Sequence, residues 1–231
     1  MELLYLKDCY VKEFDAAVTN VEGNNVELDR TAFYPESGGQ LSDQGTLNGK
    51  RVLHVRKDQG KAVHELEEGH GLKKSDKVRG KIDWDKRYRM MRMHTAAHVL
   101  SKVVWDWLGG EISGGQLGLE ESRDDYTIPE FDKQKLEQAV EKANQLIQKG
   151  AEVSFEFMPR SEADKEPDLI RTKVNLIPPS VKTIRVVRIE GVEMQACAGT
   201  HVKNIKEIGR IMVTRFQNKG KNNRRLYFAL Q

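Results

Sequence analysis

The chain has 231 residues, 38% of them hydrophobic and 32% charged, with a formal net charge of +3. That length holds one large domain or two smaller ones with a substantial core, and the composition is that of an ordinary globular protein. Cys9 and Cys197 are the only cysteines, which excludes a disulfide framework; no apolar run approaches membrane-spanning length, and the start MELLYLKDCYVKEFD lacks the features of a secretory signal, so the cytoplasm is the expected compartment.

The distribution of charge says more than its sum. From residue 201 onward eight cations (Lys203, Lys206, Arg210, Arg215, Lys219, Lys221, Arg224, Arg225) face one acid, Glu207. A second basic cluster, Lys86, Arg87, Arg89 and Arg92, precedes His94. Such clustering suits a polyanion such as nucleic acid, against the plainer reading of a solvated basic face.

Residues 1–84 read as short strands forming a small β-barrel-like domain. Val18–Val21 and Val26–Asp29 form one expected hairpin, and Arg51–Val55 with Ala62–Leu66 another across Asp58-Gln59-Gly60. Val78–Trp84 is read as the last strand. Between them lies the loop Thr31-Ala32-Phe33-Tyr34-Pro35-Glu36-Ser37-Gly38-Gly39-Gln40, where Pro35 fixes one φ angle and the glycines permit close backbone approach to a ligand. Most such Gly-Gly pairs are only turns.

Residues 85–108 read as a helix, with Asp85 at its start and Gly109-Gly110 as its stop. Met90, Met93, Ala97, Leu100 and Val104 form its core stripe, and Trp105 and Trp107 are read as packing residues. Glycine-rich 112–119 and strand 123–128 follow, then an amphipathic helix from Phe131 to Lys149. Strands are expected at Val153–Met158 and Ile184–Ile189, with a charged, exposed segment at 160–167 between them. Glu190-Gly191 turns the chain towards Met194–Cys197, and strands at 208–213 and 224–228 close it. The whole reads as α+β, with residues 1–84 as one domain and 85–231 as an α+β second domain.

Two short motifs carry chemistry. HTAAH supplies His94 and His98, four apart and therefore on one helix face; CAGTH supplies Cys197 and His201 at the same spacing. Imidazole and thiolate suit zinc, and four of them fill a tetrahedron. Thr95 stands where a zincin peptidase needs its catalytic Glu, which excludes that chemistry. Four protein ligands are usual for structural zinc, yet these join distant elements beside glycine-rich loops, where a metal could polarise a carbonyl, orient an amine or activate water. His54, His64 and His70 lack a partner pattern and read as surface or strand residues; Cys9 reads as a small apolar residue.

HTAAH with CAGTH resembles the editing domain shared by alanyl- and threonyl-tRNA synthetases. The loop TAFYPESGGQLSDQG resembles the glycine-rich segment of alanyl-tRNA synthetase and its freestanding AlaX-type relatives, and the likeness runs through Arg123–Tyr126 and Gln195–His201. The resemblance implies a freestanding, ATP-independent aminoacyl-tRNA deacylase that hydrolyses Ser-tRNA(Ala), and Gly-tRNA(Ala), sparing Ala-tRNA(Ala). It implies one Zn2+ per chain on His94, His98, Cys197 and His201, with mischarged alanine tRNA as partner. Thr31, Gly38, Gly39 and Gln40 would reach over the active site; Gln195 and Thr200 would flank the ligands, with Gln116 and Asp125 as further substrate contacts. Gly114 stands where synthetase editing domains often carry Gln, and Ala198 where many relatives have Gly. Arg87, Arg89, Arg92, Lys203, Lys206, Arg210, Lys219, Lys221 and Arg224 are the expected tRNA contacts. No general base is assigned beyond the metal site. The rival reading is a zinc-stabilised RNA-binding protein without turnover.

Overall fold

A computed structural model describes residues 1–130, 132–166, 169–170 and 177–231. The protein is α+β and mostly sheet, in two compact units, Met1–Met90 and Met91–Gln231.

The strands of the first unit are β1 (Glu2–Leu3), β2 (Glu13–Glu22), β3 (Asn25–Leu28), β4 (Arg30–Thr31), β5 (Gly45–Leu47), β6 (Lys50–Asp58), β7 (Lys61–Leu66) and β8 (Lys77–Ile82). Six of them pair in the order β2–β3–β7–β6–β5–β8, and β8 returns to β2, with Glu13 opposite Lys81 and Ala17 opposite Lys77. Closure leaves no free edge in that sheet. Alternation supplies the interior: Phe14, Ala16 and Val18 point in from β2, and Val26, Leu28, Val52, Val55, Leu66, Val78 and Ile82 join them in one cluster. The β6–β7 turn places both Gln59 (φ 47°) and Gly60 (φ 82°) in the left-handed region, the geometry that matches strand twist in a two-residue hairpin. Gly80 has a packing reason, since a Cβ there would lie 2.4 Å from the Phe14 ring.

The last barrel strand ends at Ile82 rather than running to Trp84. Asp83 Oδ1 accepts from Lys86 N at 3.2 Å and Asp83 O accepts from Arg87 N at 3.0 Å, so Asp83, not Asp85, caps the helix α1 (Trp84–Leu108). The expected stripe of Met90, Met93, Ala97, Leu100 and Val104 is buried. Trp107 is not a packing residue: it is 41% exposed, with Lys142 Nζ 4.6 Å from its ring. Gly109, at φ 64°, ends the helix.

The second unit continues with β9 (Glu111–Gln116), β10 (Ser122–Thr127), α2 (Lys133–Lys149), β11 (Val153–Pro159), α3 (Arg160–Ala163), β12 (Thr183–Ile189), β13 (Glu193–Ala196), β14 (Ile211–Asn218) and β15 (Arg224–Leu230). They form two antiparallel sheets, ordered β14–β15–β10–β9 and β11–β12–β13. Helix α2 buries Leu136, Val140, Ala143 and Ile147 on one stripe, and Asp132 caps it by accepting from Lys135 N at 3.0 Å. Phe131, its expected first residue, lies outside the described residues, as does Pro167 at the end of the expected exposed segment 160–167. Part of that segment is the short helix α3, which buries Ala163. The strand expected from residue 208 starts only at Ile211, because Ile205–Ile208 make a 3-10 turn held by a capping box between Asn204 and Glu207. Among the described residues no helix is long and apolar enough to cross a membrane.

Candidate metal centre

Cys197 leaves the end of β13 and is followed by an irregular loop to His201, while His94 and His98 sit one turn apart on α1. The loop therefore brings its pair to the histidines without a second helix. One ligand atom from each of His94, His98, Cys197 and His201 lies within 4.8 Å of every other. Cys197 Sγ is 3.4 Å from His201 Nε2 and 3.6 Å from His94 Nε2. A tetrahedral zinc site with arms of about 2.0–2.3 Å has edges of roughly 3.3–3.8 Å; the two thiol–imidazole distances fall inside that range, and the whole set is gathered closely enough that it could hold one cation.

The outward-facing ring atoms decide which nitrogens are free. His98 Nδ1 bonds Glu193 Oε1 at 2.5 Å, which leaves its Nε2 for the cluster. Thr95 Oγ1 donates its only proton to Met91 O at 2.8 Å and so accepts from His201 Nδ1 at 3.2 Å and from Val202 N at 3.3 Å. His201 Nε2 is thereby the bare nitrogen, aimed at the thiol. Thr95, in the second position of HTAAH, thus braces His201. Arg185, buried on β12, donates through Nη1 to Cys197 O at 2.8 Å and Gly199 O at 3.0 Å, while its guanidinium carbon lies 4.3 Å from the Phe155 ring centre. It clamps the turn that carries the thiol. Gly199 N donates to Cys197 Sγ at 3.3 Å.

The electrostatics also favour a cation. Burial disfavours the charged form of His98, but Glu193 and Cys197 outweigh it and push the imidazole up to about 10. Burial alone would raise the Cys197 thiol, yet the surrounding imidazoles hold it well below its usual value. Burial, and then His94, depress His201 well below the ordinary histidine range. Negative groups that favour a proton here favour a metal ion for the same reason. Donor identity, spacing and ring orientation all fit zinc.

The other expected site residues fall in several places. Gln195 is buried on β13 and Thr200 is buried beside His201. Gln116 is exposed on β9, 3.3 Å from Arg123 Nε, and Asp125 on β10 makes a two-toothed pair with Arg225 at 2.6 and 2.8 Å. Within the barrel unit, Gly38 (φ 59°) and Gly39 (φ 82°) form an exposed tip closed by Ser37 and Gln40, whose backbones exchange bonds of 3.2 and 3.0 Å. Gln40 itself is buried. Thr31 is enclosed: burial lowers His64 to about 4, so its ring is neutral, Nδ1–H donates to Val26 O at 3.0 Å, and Nε2 accepts from Thr31 Oγ1 at 2.9 Å. His64 is therefore a buried strand residue; His70, also buried, is not a surface one.

Two expected tRNA contacts are corrected. Arg87 is fully buried, with its fork filled by the Asp43 carboxylate, Cys9 O and Ala32 O. Arg224 is 4% exposed and donates to Asn218 Oδ1 and to the carbonyls of Pro129, Gly220, Lys221 and Asn223. Neither guanidinium is available to a phosphate. Arg92 is part-buried on Ile208 O at 2.7 Å, whereas Lys203, Lys206, Arg210, Lys219 and Lys221 are exposed. Arg89 is half-buried. Sequence reasoning missed Glu193, Thr95 and Arg185 as supports of the ligands; only the position of Thr95 inside HTAAH was a usable signal.

The β-rich first unit and the α+β unit with its split His/Cys cluster each contain a segment that matches a tRNA synthetase domain. Residues 184–227 match the family described as the threonyl and alanyl tRNA synthetase second additional domain, and residues 5–86 match class II (A) tRNA synthetases. The chain is 46% identical to an alanyl-tRNA editing protein AlaX-M of Methanosarcina barkeri, over 99% of this chain and 98% of that one. It is 40% identical to the AlaX-M protein of Saccharolobus solfataricus, over 100% and 99% respectively. It is also 36% identical to the alanine–tRNA ligase of Pyrococcus abyssi, over 98% of this chain but 25% of the ligase. The chain belongs to the AlaX-M family of alanyl-tRNA editing proteins.

Proposed function

We propose that this protein is a cytoplasmic trans-editing deacylase: it hydrolyses the ester joining serine, and also glycine, to the 3′ end of alanine tRNA, and spares Ala-tRNA(Ala). The observation that carries the reading is the His94, His98, Cys197, His201 cluster in a chain similar over its whole length to AlaX-M editing proteins. The four residues would hold one zinc ion, which when bound supplies a Lewis acid able to polarise a carbonyl or orient an amine. Glu193, Thr95 and Arg185 fix the ligands. Gln195 and Thr200, adjoining Cys197 and His201, are assigned to the aminoacyl group, Gln116 and Asp125 to further substrate contacts, and Thr31 with Gly38, Gly39 and Gln40 to recognition of the aminoacyl group. A water attacks the ester carbonyl, the bond to the ribose oxygen breaks, and the water's proton ends on that oxygen.

Such an editor answers a physical limit. A pocket built for alanine cannot strongly reject serine, which only adds a hydroxyl, whereas a site that hydrogen-bonds the hydroxyl leaves polar groups unpaired with alanine. The test presents Ser-, Gly- and Ala-tRNA(Ala) side by side and follows deacylation; loss of Ser-tRNA faster than Ala-tRNA is expected, and equal, negligible loss of all three contradicts the proposal. Thr31→Val is expected to change Ser-versus-Ala discrimination more than metal content, and unchanged discrimination would remove Thr31 from the recognition site. One observation favours a second reading, a non-catalytic zinc-stabilised RNA-binding protein: four protein donors are the usual complement of a structural zinc site. That reading predicts tRNA binding without turnover.

A further inference from the structure

The sheet β14–β15–β10–β9 has two unlike faces. Ser122, Asp124 and Tyr126 of β10 and Leu226 and Phe228 of β15 are buried on one. Register defines the other, because residues paired across strands project to the same side. Arg123 stands opposite Gln116 on one flank and Tyr227 on the other, and Tyr227 stands opposite Arg215. The adjacent row runs Gly114, Asp125, Arg225, Gln217. These two rows carry one aromatic ring amid polar and charged side chains, and the row beyond Tyr227 pairs Ala229 with the exposed Met212.

The chemistry of the rows is organised around Tyr227. Arg215 lies over its ring, 3.7 Å from guanidinium carbon to centroid, and Arg225 lies 5.8 Å away, held by Asp125. Arg215 also bonds Glu121 at 3.0 Å, but that pair is exposed and weak. Beyond the rows, the β14–β15 hairpin presents Lys219 and Lys221. Arg224 beneath it draws the carbonyls of Gly220, Lys221 and Asn223 inward, which fixes the tip and leaves both lysines outside. Rows and tip carry five cations (Arg123, Arg215, Arg225, Lys219, Lys221) against one acid, Asp125, and Glu121 just outside them bonds Arg215.

We propose that this sheet face and its hairpin tip form the docking surface for the RNA strand of the substrate tRNA. The inference rests on the RNA substrate proposed above. The Arg215–Tyr227 stack presents a planar cation on which a base can lie, and Arg123, Lys219 and Lys221 meet phosphates. Open sheet faces with an aromatic platform suit single-stranded RNA, and the cation excess suits its backbone.

The test is binding of uncharged alanine tRNA by the full-length protein, followed by anisotropy across a salt series. Lys219→Gln with Lys221→Gln should flatten the slope of log K against log salt by about 2 and weaken low-salt binding roughly tenfold. Tyr227→Leu should weaken binding roughly tenfold with little change in slope. The same charge loss on the barrel, Lys50→Gln with Lys57→Gln, should alter neither. Metal content and melting temperature, measured on each variant, identify any that has misfolded. Hairpin and Tyr227 variants that fold and bind like the barrel control overturn the proposal, as does wild-type protein that does not bind tRNA. If those variants keep wild-type tRNA affinity while Ser-tRNA is still hydrolysed, the surface is wrong and the deacylase reading stands. Salt-sensitive binding through this face without hydrolysis supports the surface and contradicts the deacylase reading.

Discussion

Thr95 shows how a set of donor side chains depends on a residue outside the set. Its single hydroxyl is spent on Met91 O, so it can only accept from His201, and that acceptance turns the other ring nitrogen to the thiol. Thr95→Val should therefore lower zinc affinity about 10–100-fold, measured by chelator competition, and unchanged affinity would deny the bracing role. Cys197→Ala should lose metal, by elemental analysis, together with deacylation; activity that survives without zinc would rule out a catalytic metal. His64 is a different kind of residue. Its imidazole falls from 6.5 to about 4 on burial, so it contributes stability that is complete above pH 6.5 and is lost as pH falls towards 4, roughly 3 kcal/mol in all. Asp124 acts in the opposite sense: burial, against the Tyr126 hydroxyl, lifts it to about 7, and its contribution disappears as pH rises through 7. The measurable quantity is thus the difference between wild type and His64→Asn in denaturation. That difference should shrink between pH 6.5 and 4, and a constant difference would contradict the neutral buried ring. The four ligands were legible because their spacing is itself geometry, whereas Glu193 and Arg185 reach the site from strands whose packing no local pattern reports. Arg87 and Arg224 are instructive the other way. Arg87 precedes Met90 and Met91 by three and four residues, and Arg224 alternates with Leu226 and Phe228, so periodicity places both on core faces. Counting charge without reading phase hid that.

Elements were legible where periodicity was long and turns were chemically marked. The Gln59-Gly60 hairpin and the α2 stripe follow from residues that few other conformations would suit. Boundaries failed where a side chain competed for the backbone: Asp83 starts α1 early, and Asn204 with Glu207 turns a strand-like apolar run into a 3-10 turn. Asn144 ties two elements together. Buried on α2, it accepts from Ile211 N at 2.8 Å and donates to Ile211 O at 2.9 Å, which anchors the start of the outer strand β14. Asn144→Ala leaves both backbone groups unpaired and should cost about 2–4 kcal/mol in urea denaturation. A change below about 0.5 kcal/mol would show that the strand is held from elsewhere.

At the scale of the whole molecule, the chain pairs a closed β-barrel unit with an α+β unit that carries all four donors. Composition identified neither; the order of short strands, a long helix with paired histidines and a late Cys/His segment did. The division of the chain inside α1 was not legible, because one continuous helical pattern spans it. On the function proposed above, the His94, His98, Cys197, His201 cluster makes this chain a zinc-dependent editing hydrolase. The measurement that tests it is the initial rate of serine release from Ser-tRNA(Ala) as zinc is titrated into metal-stripped protein. The rate is expected to rise from near zero to a plateau at one zinc per chain, and full activity in the metal-free protein would contradict it.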